Sequence, residues 1–157
     1  MKGWQIRMQT DIEQRNFYAV SIRLRGTNLD AAHVARVLGI EPNKGIKYHA
    51  NSGGRPYLQL EGAWLIEEEG TSPFDIEVVL DKLFSQVEKR GIVLAEIKGV
   101  EHAYVAILIA ATQNELGSTY VDMQLNPDLA RRLANLGLAM HVEMAPLPSY
   151  CRLDDAF

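Results

Sequence analysis

The sequence contains one cysteine, Cys151, among 157 residues. A lone cysteine excludes an intramolecular disulfide and the disulfide-stapled class of small secreted domains. The longest apolar run, Ala103 to Ala111, is far shorter than the roughly 18 residues that a membrane span needs. The first residues also lack the unbroken apolar segment of a secretory leader. From these absences we expect a cytoplasmic protein with no membrane partner.

A surplus of basic residues is missing as well. The chain has 16 Lys and Arg against 20 Asp and Glu, a formal net charge of −4. Sequence-independent affinity for nucleic acid comes from excess Lys and Arg, so no nucleic-acid partner is expected. With 47% hydrophobic and 23% charged residues, the composition is that of an ordinary globular protein. We expect a single domain over residues 1–157, with a lead-in at 1–15, a core at 16–145 and an irregular tail at 146–157.

Motifs that carry chemistry are absent too. The histidines and the cysteine form no pair at zinc-ligand spacing; they are His33, His49, His102, His141 and Cys151. No Gly-x-Ser-x-Gly elbow is present, and the Gly-rich segment at 51–56 lacks the Gly-Lys-Ser/Thr ending of a phosphate loop. We therefore predict no catalytic residue, no metal site and no cofactor.

Alternating hydrophobicity predicts several strands. The first is expected from Phe17 to Leu24, with one face in water. His102 to Thr112 is apolar on both faces, so this strand is either central or covered by a partner. Leu138 to Met144 should be the last strand, with the even-numbered residues Leu138, Met140, Val142 and Met144 pointing inward. Weaker alternation suggests a hairpin of two strands, at 57–60 and 63–67, and a further strand at 120–125.

Capping residues and apolar stripes predict three helices. Asn28 or Asp30 can begin the first helix, which runs through Leu38 and ends at Gly39. Ser72 is a natural cap for the second, because Pro73 suits the first helical position. Its apolar stripe comprises Ile76, Leu80, Leu83 and Val87, and Gly91 should end it. A third helix is expected over 127–136.

The first and third helices resemble each other in sequence. Each follows a strand, begins at Asn-x-Asp and ends in Leu-Gly, at Leu38-Gly39 and at Leu136-Gly137. Such a unit is either a true duplication or the general signature of a capped helix. Both interpretations predict an α+β fold. We expect a two-layer sandwich in which helices pack on one face of a mostly antiparallel sheet, either ferredoxin-like or made of duplicated β-α-β halves.

Several short segments together resemble a known family. They are Leu38 to Pro42, Trp64 on a short strand, a long middle helix, Leu125 to Pro127, and Leu133 to Gly137. The chain resembles, from about Phe17 to Met144, the bacterial family called domain of unknown function 4279. In that family the first segment is followed by a basic and aromatic stretch that ends in a Gly-Asp-like turn; here the acidic turn residue is missing. The resemblance implies no catalytic residue, and it suggests an interaction role, because some relatives are suspected among toxin-immunity genes.

One candidate binding surface is a basic and aromatic stretch with no acid between Lys44 and Tyr57. Arg and Lys match carboxylates or phosphates, and Tyr adds rigid contact area. The candidate residues for a ligand or a partner are Lys44, Lys47, Tyr48, His49, Arg55, Tyr57 and Trp64. The alternative is that the stretch is a solvated loop and that Trp64 belongs to the core.

A second candidate surface is the face of the sheet turned away from the helices. If the strands are neighbours, the outward-pointing residues there are Arg23, Tyr120, Asp122, Gln124, His141 and Glu143. That face could be solvated, or it could bind a partner or a second copy of the chain, so a homodimer is one possibility.

Two functions are therefore carried forward. The first is a non-enzymatic module that binds an unknown protein partner, for example as an immunity-like inhibitor. The alternative is a small anionic-ligand-binding or hydrolytic domain that uses the Lys44 to Tyr57 loop. Charge is segregated along the chain, since Glu61 to Asp81 contains seven acidic residues and no Lys or Arg. Such segregation can orient a charged partner.

Overall fold

The computed structural model describes residues 17–42, 62–71, 75–111 and 123–146. Within these residues it has four strands and three helices, joined in part by 3₁₀ turns at Glu88–Arg90 and Leu94–Glu96. In chain order the elements are β1 (Phe17–Arg25), α1 (Ala31–Leu38), β2 (Ala63–Thr71), α2 (Ile76–Val87), β3 (His102–Ala111), α3 (Pro127–Asn135) and β4 (Ala139–Pro146).

The four strands form one mixed sheet in the order β2-β1-β3-β4. β1 is antiparallel to both β2 and β3, whereas β3 and β4 are parallel. β3 is apolar on both faces and lies between β1 and β4, so of the two predicted alternatives, a central position or cover by a partner, the structure shows the first. On one face Val105 and Ile107 are buried, and on the other Leu108 and Ala110 are buried.

All three helices pack on one face of this sheet. The even-numbered residues of β1 form the floor of the core, with Val20, Ile22 and Leu24 fully buried. The helices cover them with Val34 and Leu38 of α1, Leu129 of α3, and the predicted stripe of α2 together with Phe84. Each such side chain contributes about 1.5–3 kcal/mol when it leaves water. This common core, and not helix propensity, holds the short helices in place.

The helix ends show which polar side chains act as caps. Asp30 accepts a hydrogen bond from the Ala32 amide, and Gly39 ends α1 in the left-handed conformation at φ 69°. Asn126 caps α3 by accepting from the Leu129 amide. The predicted cap Ser72 is wrong, because α2 begins at Ile76 and its cap is Asp75. A carboxylate satisfies the free amides of a first turn as well as a hydroxyl does, and it also complements the helix dipole.

Three glycines bring the backbone together at the end of the sheet where β1 stops. The Gly26 amide donates to the Gly62 carbonyl at 2.9 Å, and a Cβ on Gly26 would overlap the Gly99 carbonyl oxygen. Glu101 follows, and its amide donates to the Arg25 carbonyl at 2.8 Å. Only residues without a side chain allow this approach. It fixes the start of β3 beside the end of β1.

The predicted class, an α+β fold with helices on one face of the sheet, is confirmed. The ferredoxin-like arrangement is not confirmed, because the sheet is mixed and contains a parallel β3-β4 pair. The two similar helices also connect different units: α1 lies between the antiparallel strands β1 and β2, whereas α3 precedes a strand parallel to β3. The capping signature is shared, but the strand pairing around it is not.

Candidate functional site

Most of the predicted loop surface lies outside the described residues, namely Lys44, Lys47, Tyr48, His49, Arg55 and Tyr57. Their role as a binding surface stays a prediction. Trp64 is described: it lies on β2 opposite Leu24, is fully buried and belongs to the helix-side core. Its indole N–H has no hydrogen-bond partner within the described part of the chain.

β4 is an edge strand of the described sheet, and residues 141–144 expose side chains on both of its faces. His141 and Glu143 are exposed on the face away from the helices. Val142 and Met144 lie on the helix side, yet each is 47% exposed. The prediction that both point into the core is wrong. Alternation fixes the face on which a side chain lies, but it does not say how far the helices cover that face.

The face away from the helices carries a buried ion pair. Arg23 of β1 is only 9% exposed. Its guanidinium lies 3.8 Å from the Glu67 carboxylate of β2, and its Nε donates to the Ser21 hydroxyl at 2.7 Å. Leu65 on the same face is buried too. The prediction that Arg23 points into water is therefore wrong. His141 and Glu143 are exposed as predicted. Tyr120 and Asp122 lie outside the described residues.

A groove of about 600 Å³ opens on this same face, at the end of the sheet fixed by the three glycines. Small residues line one part of it, including Ala95, Gly137 and Ala139. Polar side chains from three strands and the turn before β3 line the rest, namely Arg25, Glu101, His102, Tyr104 and His141. A volume of this size suits a small molecule.

Two aromatic rings form one wall of the groove. The rings of Tyr104 and His141 are stacked, with centroids 4.6 Å apart and planes 23° from parallel. Arg25 and His102 are direct cross-strand partners, so their side chains start side by side. Glu101, the one carboxylate among the described residues that line the groove, accepts hydrogen bonds from the amide and hydroxyl of Thr27 at 3.1 and 3.4 Å. The groove thus combines a cation and two imidazoles with an acid that is already hydrogen-bonded.

A second cavity, of about 380 Å³, lies between α1 and the segment that follows α2. Its polar side chains are His33, Glu96 and Lys98, and apolar residues such as Val37 and Ile97 complete it. Among the described lining residues, one acid and one lysine balance each other, so this cavity favours neither an anion nor a cation.

A cluster of hydrogen bonds around Arg132 joins two of the helices. Arg132 of α3 donates two hydrogen bonds to the Glu88 carboxylate, from Nε at 2.8 Å and from Nη2 at 3.0 Å. Its Nη1 donates to the Asp81 carboxylate of α2 at 2.6 Å. Its guanidinium also stacks over the Phe84 ring, 5.6 Å from the centroid. The hydrogen bonds to Glu88 and then Asp81 raise the pKa of Arg132 above its ordinary value. Every partner is a structural residue, so we assign this cluster to helix packing.

Comparison with known proteins identifies the family of the chain. The family model described as "Domain of unknown function (DUF4279)" matches residues 15–147. The chain belongs to this family. The match confirms the resemblance drawn from Leu38 to Pro42, Trp64 and the segment Leu133 to Gly137. No curated protein and no solved structure matches the DUF4279 chain significantly.

Two features are absent from the described residues. Among them, no group of three or more His, Cys, Asp or Glu side chains is placed to hold a metal ion. In the same part of the chain, no helix combines the length and apolarity needed to cross a membrane.

Sequence reasoning did not find the groove. Its histidines belong to different strands, and each alone is an ordinary surface residue. A signal was available in the alternation of β3, which sets His102 and Tyr104 on one face. This alternation predicts the groove only once β3 is known to lie between β1 and β4. That strand order places Arg25 of β1 and His141 of β4 beside the β3 residues that line the groove.

Proposed function

We propose that this DUF4279 chain is a non-enzymatic protein-binding module, and that β4 is the strand where a partner binds. The observation that carries the proposal is the exposure of Val142 and Met144, 47% each, on an edge strand of the described sheet. An edge strand offers backbone donors and acceptors to another chain, and exposed apolar side chains add the gain from leaving water.

The strand also defines the chemistry of the partner segment. An added strand must be extended, with side chains alternating between the two faces of the sheet. On the helix side it should carry apolar side chains against Val142 and Met144. On the other face it should carry groups that complement His141 and Glu143. An immunity-like inhibitor that binds a segment of another protein would be one such module. The non-enzymatic part of the proposal rests on the lack of a catalytic motif in the sequence.

Site-specific photo-crosslinking in cells tests the proposal. A photoreactive phenylalanine analogue replaces Val142, and in a matched variant it replaces Val78, a valine of α2 that is 60% exposed. We expect a protein–protein adduct from position 142, with mass spectrometry placing the link on an extended segment, and none from position 78. Equal labelling at the two positions, or no adduct at 142, would contradict the proposal.

A second function is favoured by the groove: binding of a small anionic ligand. His102 and His141 line the groove and can donate hydrogen bonds, and the stacked Tyr104 supplies a flat wall. Inorganic phosphate and citrate are suitable probes in a thermal-shift titration. We expect stabilisation that is lost in His102→Ala and retained in His33→Ala, since His33 lines the other cavity.

The same titration separates the groove from the Lys44 to Tyr57 loop. Loss of the shift in Lys47→Ala or Arg55→Ala, with His102→Ala unaffected, would move the ligand to the loop. No shift with either probe in the wild-type chain would remove this second function.

A further inference from the structure

We infer that the partner at β4 is a second copy of this chain, which adds its own β4 in antiparallel orientation about a two-fold axis at Val142. This inference rests on the proposed function, because it names the occupant of the same strand. Two-fold pairing of one edge strand joins two sheets into one, and it is the commonest symmetry of soluble oligomers. The continuous sheet would run β2-β1-β3-β4 and then the same strands in reverse.

The side chains of β4 match themselves in this register. With Val142 opposite the partner's Val142, His141 lies opposite the partner's Glu143, and Glu143 lies opposite the partner's His141. On the helix side, half-buried Met140 lies opposite the partner's Met144. Residues directly opposite each other across antiparallel strands interact most strongly, and opposite charges or apolar pairs are the favourable ones.

Neighbouring registers lose this match. A shift of the axis to Glu143 sets that carboxylate against the partner's Glu143. A shift of the axis to His141 sets the imidazole against the partner's His141. Each Glu143 then no longer lies opposite an imidazole. A register that opposes odd to even residues would turn the helices of the two copies to opposite faces of the sheet. The register centred on Val142 alone opposes both acid–base pairs and keeps all helices on one side.

Exposure on the helix side points the same way. Val142 and Met144 are the large apolar residues that β4 leaves in water, and they are the residues that this register would cover. Val78, the other exposed large hydrophobic of the described residues, is on α2 and takes no part. It therefore provides a matched control.

Sedimentation velocity over a wide range of protein concentration measures the association. We expect a reversible dimer of the wild-type chain that Val142→Lys abolishes, since two ammonium groups would face each other, and that Val78→Lys leaves intact. His141→Glu should weaken the dimer by about tenfold, because it opposes two pairs of carboxylates. The double variant His141→Glu with Glu143→Lys should recover most of the loss. Circular dichroism confirms that each variant is folded.

Cross-linking tests the register. In a Cys151→Ser background, Val142→Cys should form a disulfide-linked dimer under mild oxidation, whereas Val78→Cys should not. A monomer at every concentration, a dimer indifferent to Val142→Lys, or a double variant no better than His141→Glu would overturn the inference. If the chain is monomeric but Val142 photo-crosslinks to a different protein, the second copy is refuted and the proposed function stands. If there is neither dimer nor adduct, both fail.

Discussion

Replacing Arg132 by Met should destabilise the fold by loosening α3 from α2. The side chain is 17% exposed, and it binds Glu88 through two nitrogens, one of them Nε at 2.8 Å. A partly buried, two-pronged charged hydrogen bond is worth about 1.5–3 kcal/mol. The contact with Asp81 adds little, because that carboxylate is 64% exposed. Met keeps part of the packing on Phe84, so we expect a loss of about 2 kcal/mol in the free energy of unfolding.

Urea unfolding followed by circular dichroism measures this loss, and thermal unfolding should show a Tm lower by about 6 °C. Arg131→Met is the matched control: it lies on the same helix, its side chain is 68% exposed, and its bridge to Asp128 is local, so it should cost less than about 0.5 kcal/mol. A double-mutant cycle with Glu88→Gln should give a coupling of about 1 kcal/mol. If Arg132→Met costs no more than Arg131→Met, or if the cycle shows no coupling, the hydrogen bonds to Glu88 do not hold α3 on α2.

The pH dependence of this effect has a definite sign. The pKa of Arg132 is raised in the folded protein, so its contribution is complete below the ordinary pKa of a guanidinium and is lost only as pH rises beyond it. The difference in stability between the wild type and Arg132→Met should therefore stay constant from about pH 6 to about pH 9. A difference that shrinks within this range would show that another group controls the bridge.

Other predictions concern the end of the sheet and its buried ion pair. Gly26→Ala should cost about 3 kcal/mol or more in urea unfolding, because its Cβ overlaps a backbone oxygen. Gly91→Ala, where a Cβ meets nothing within 4 Å, should cost only the strain of its positive φ, about 1 kcal/mol. Arg23→Met should cost about 3 kcal/mol, because the buried Glu67 carboxylate loses the guanidinium that lies 3.8 Å away, and adding Glu67→Leu should recover part of this loss. If the single and double variants are equally unstable, the ion pair is not the reason.

Local patterns were enough to predict most elements of this fold. β1 has clear alternation, α1 has Gly39 as its stop, and β3 has two apolar faces, which a central position explains. The start of α2 was less predictable. Ser72 and Asp75 are both good capping residues three positions apart, and sequence rules do not rank them. Strand order was beyond local rules, because pairing of distant segments depends on the whole core.

The candidate site shows the same division. The alternation of β4 placed His141 and Glu143 on the outer face, and both are exposed there. The same alternation placed Val142 on the helix side of the sheet. It could not show that the helices leave the side chain 47% exposed. The groove depends on strand order, because His102 and His141 line the same groove only when β3 and β4 are neighbours. The face on which a strand residue lies can thus be predicted from the local sequence. Its burial and its neighbours on other strands cannot.

The two proposed functions share one side chain. His141 lines the groove, where it stacks on Tyr104, and in the inferred dimer it also faces the partner's Glu143. Any ligand that changes the position of this imidazole must change the dimer affinity, and the dimer must change the ligand affinity by the same factor. Val142 belongs only to the strand pairing and His102 only to the groove, so these two positions separate the effects. If Val142→Lys leaves the phosphate-induced thermal shift unchanged, the imidazole does not link the two sites; if the shift changes, the groove and the edge strand act as one binding surface.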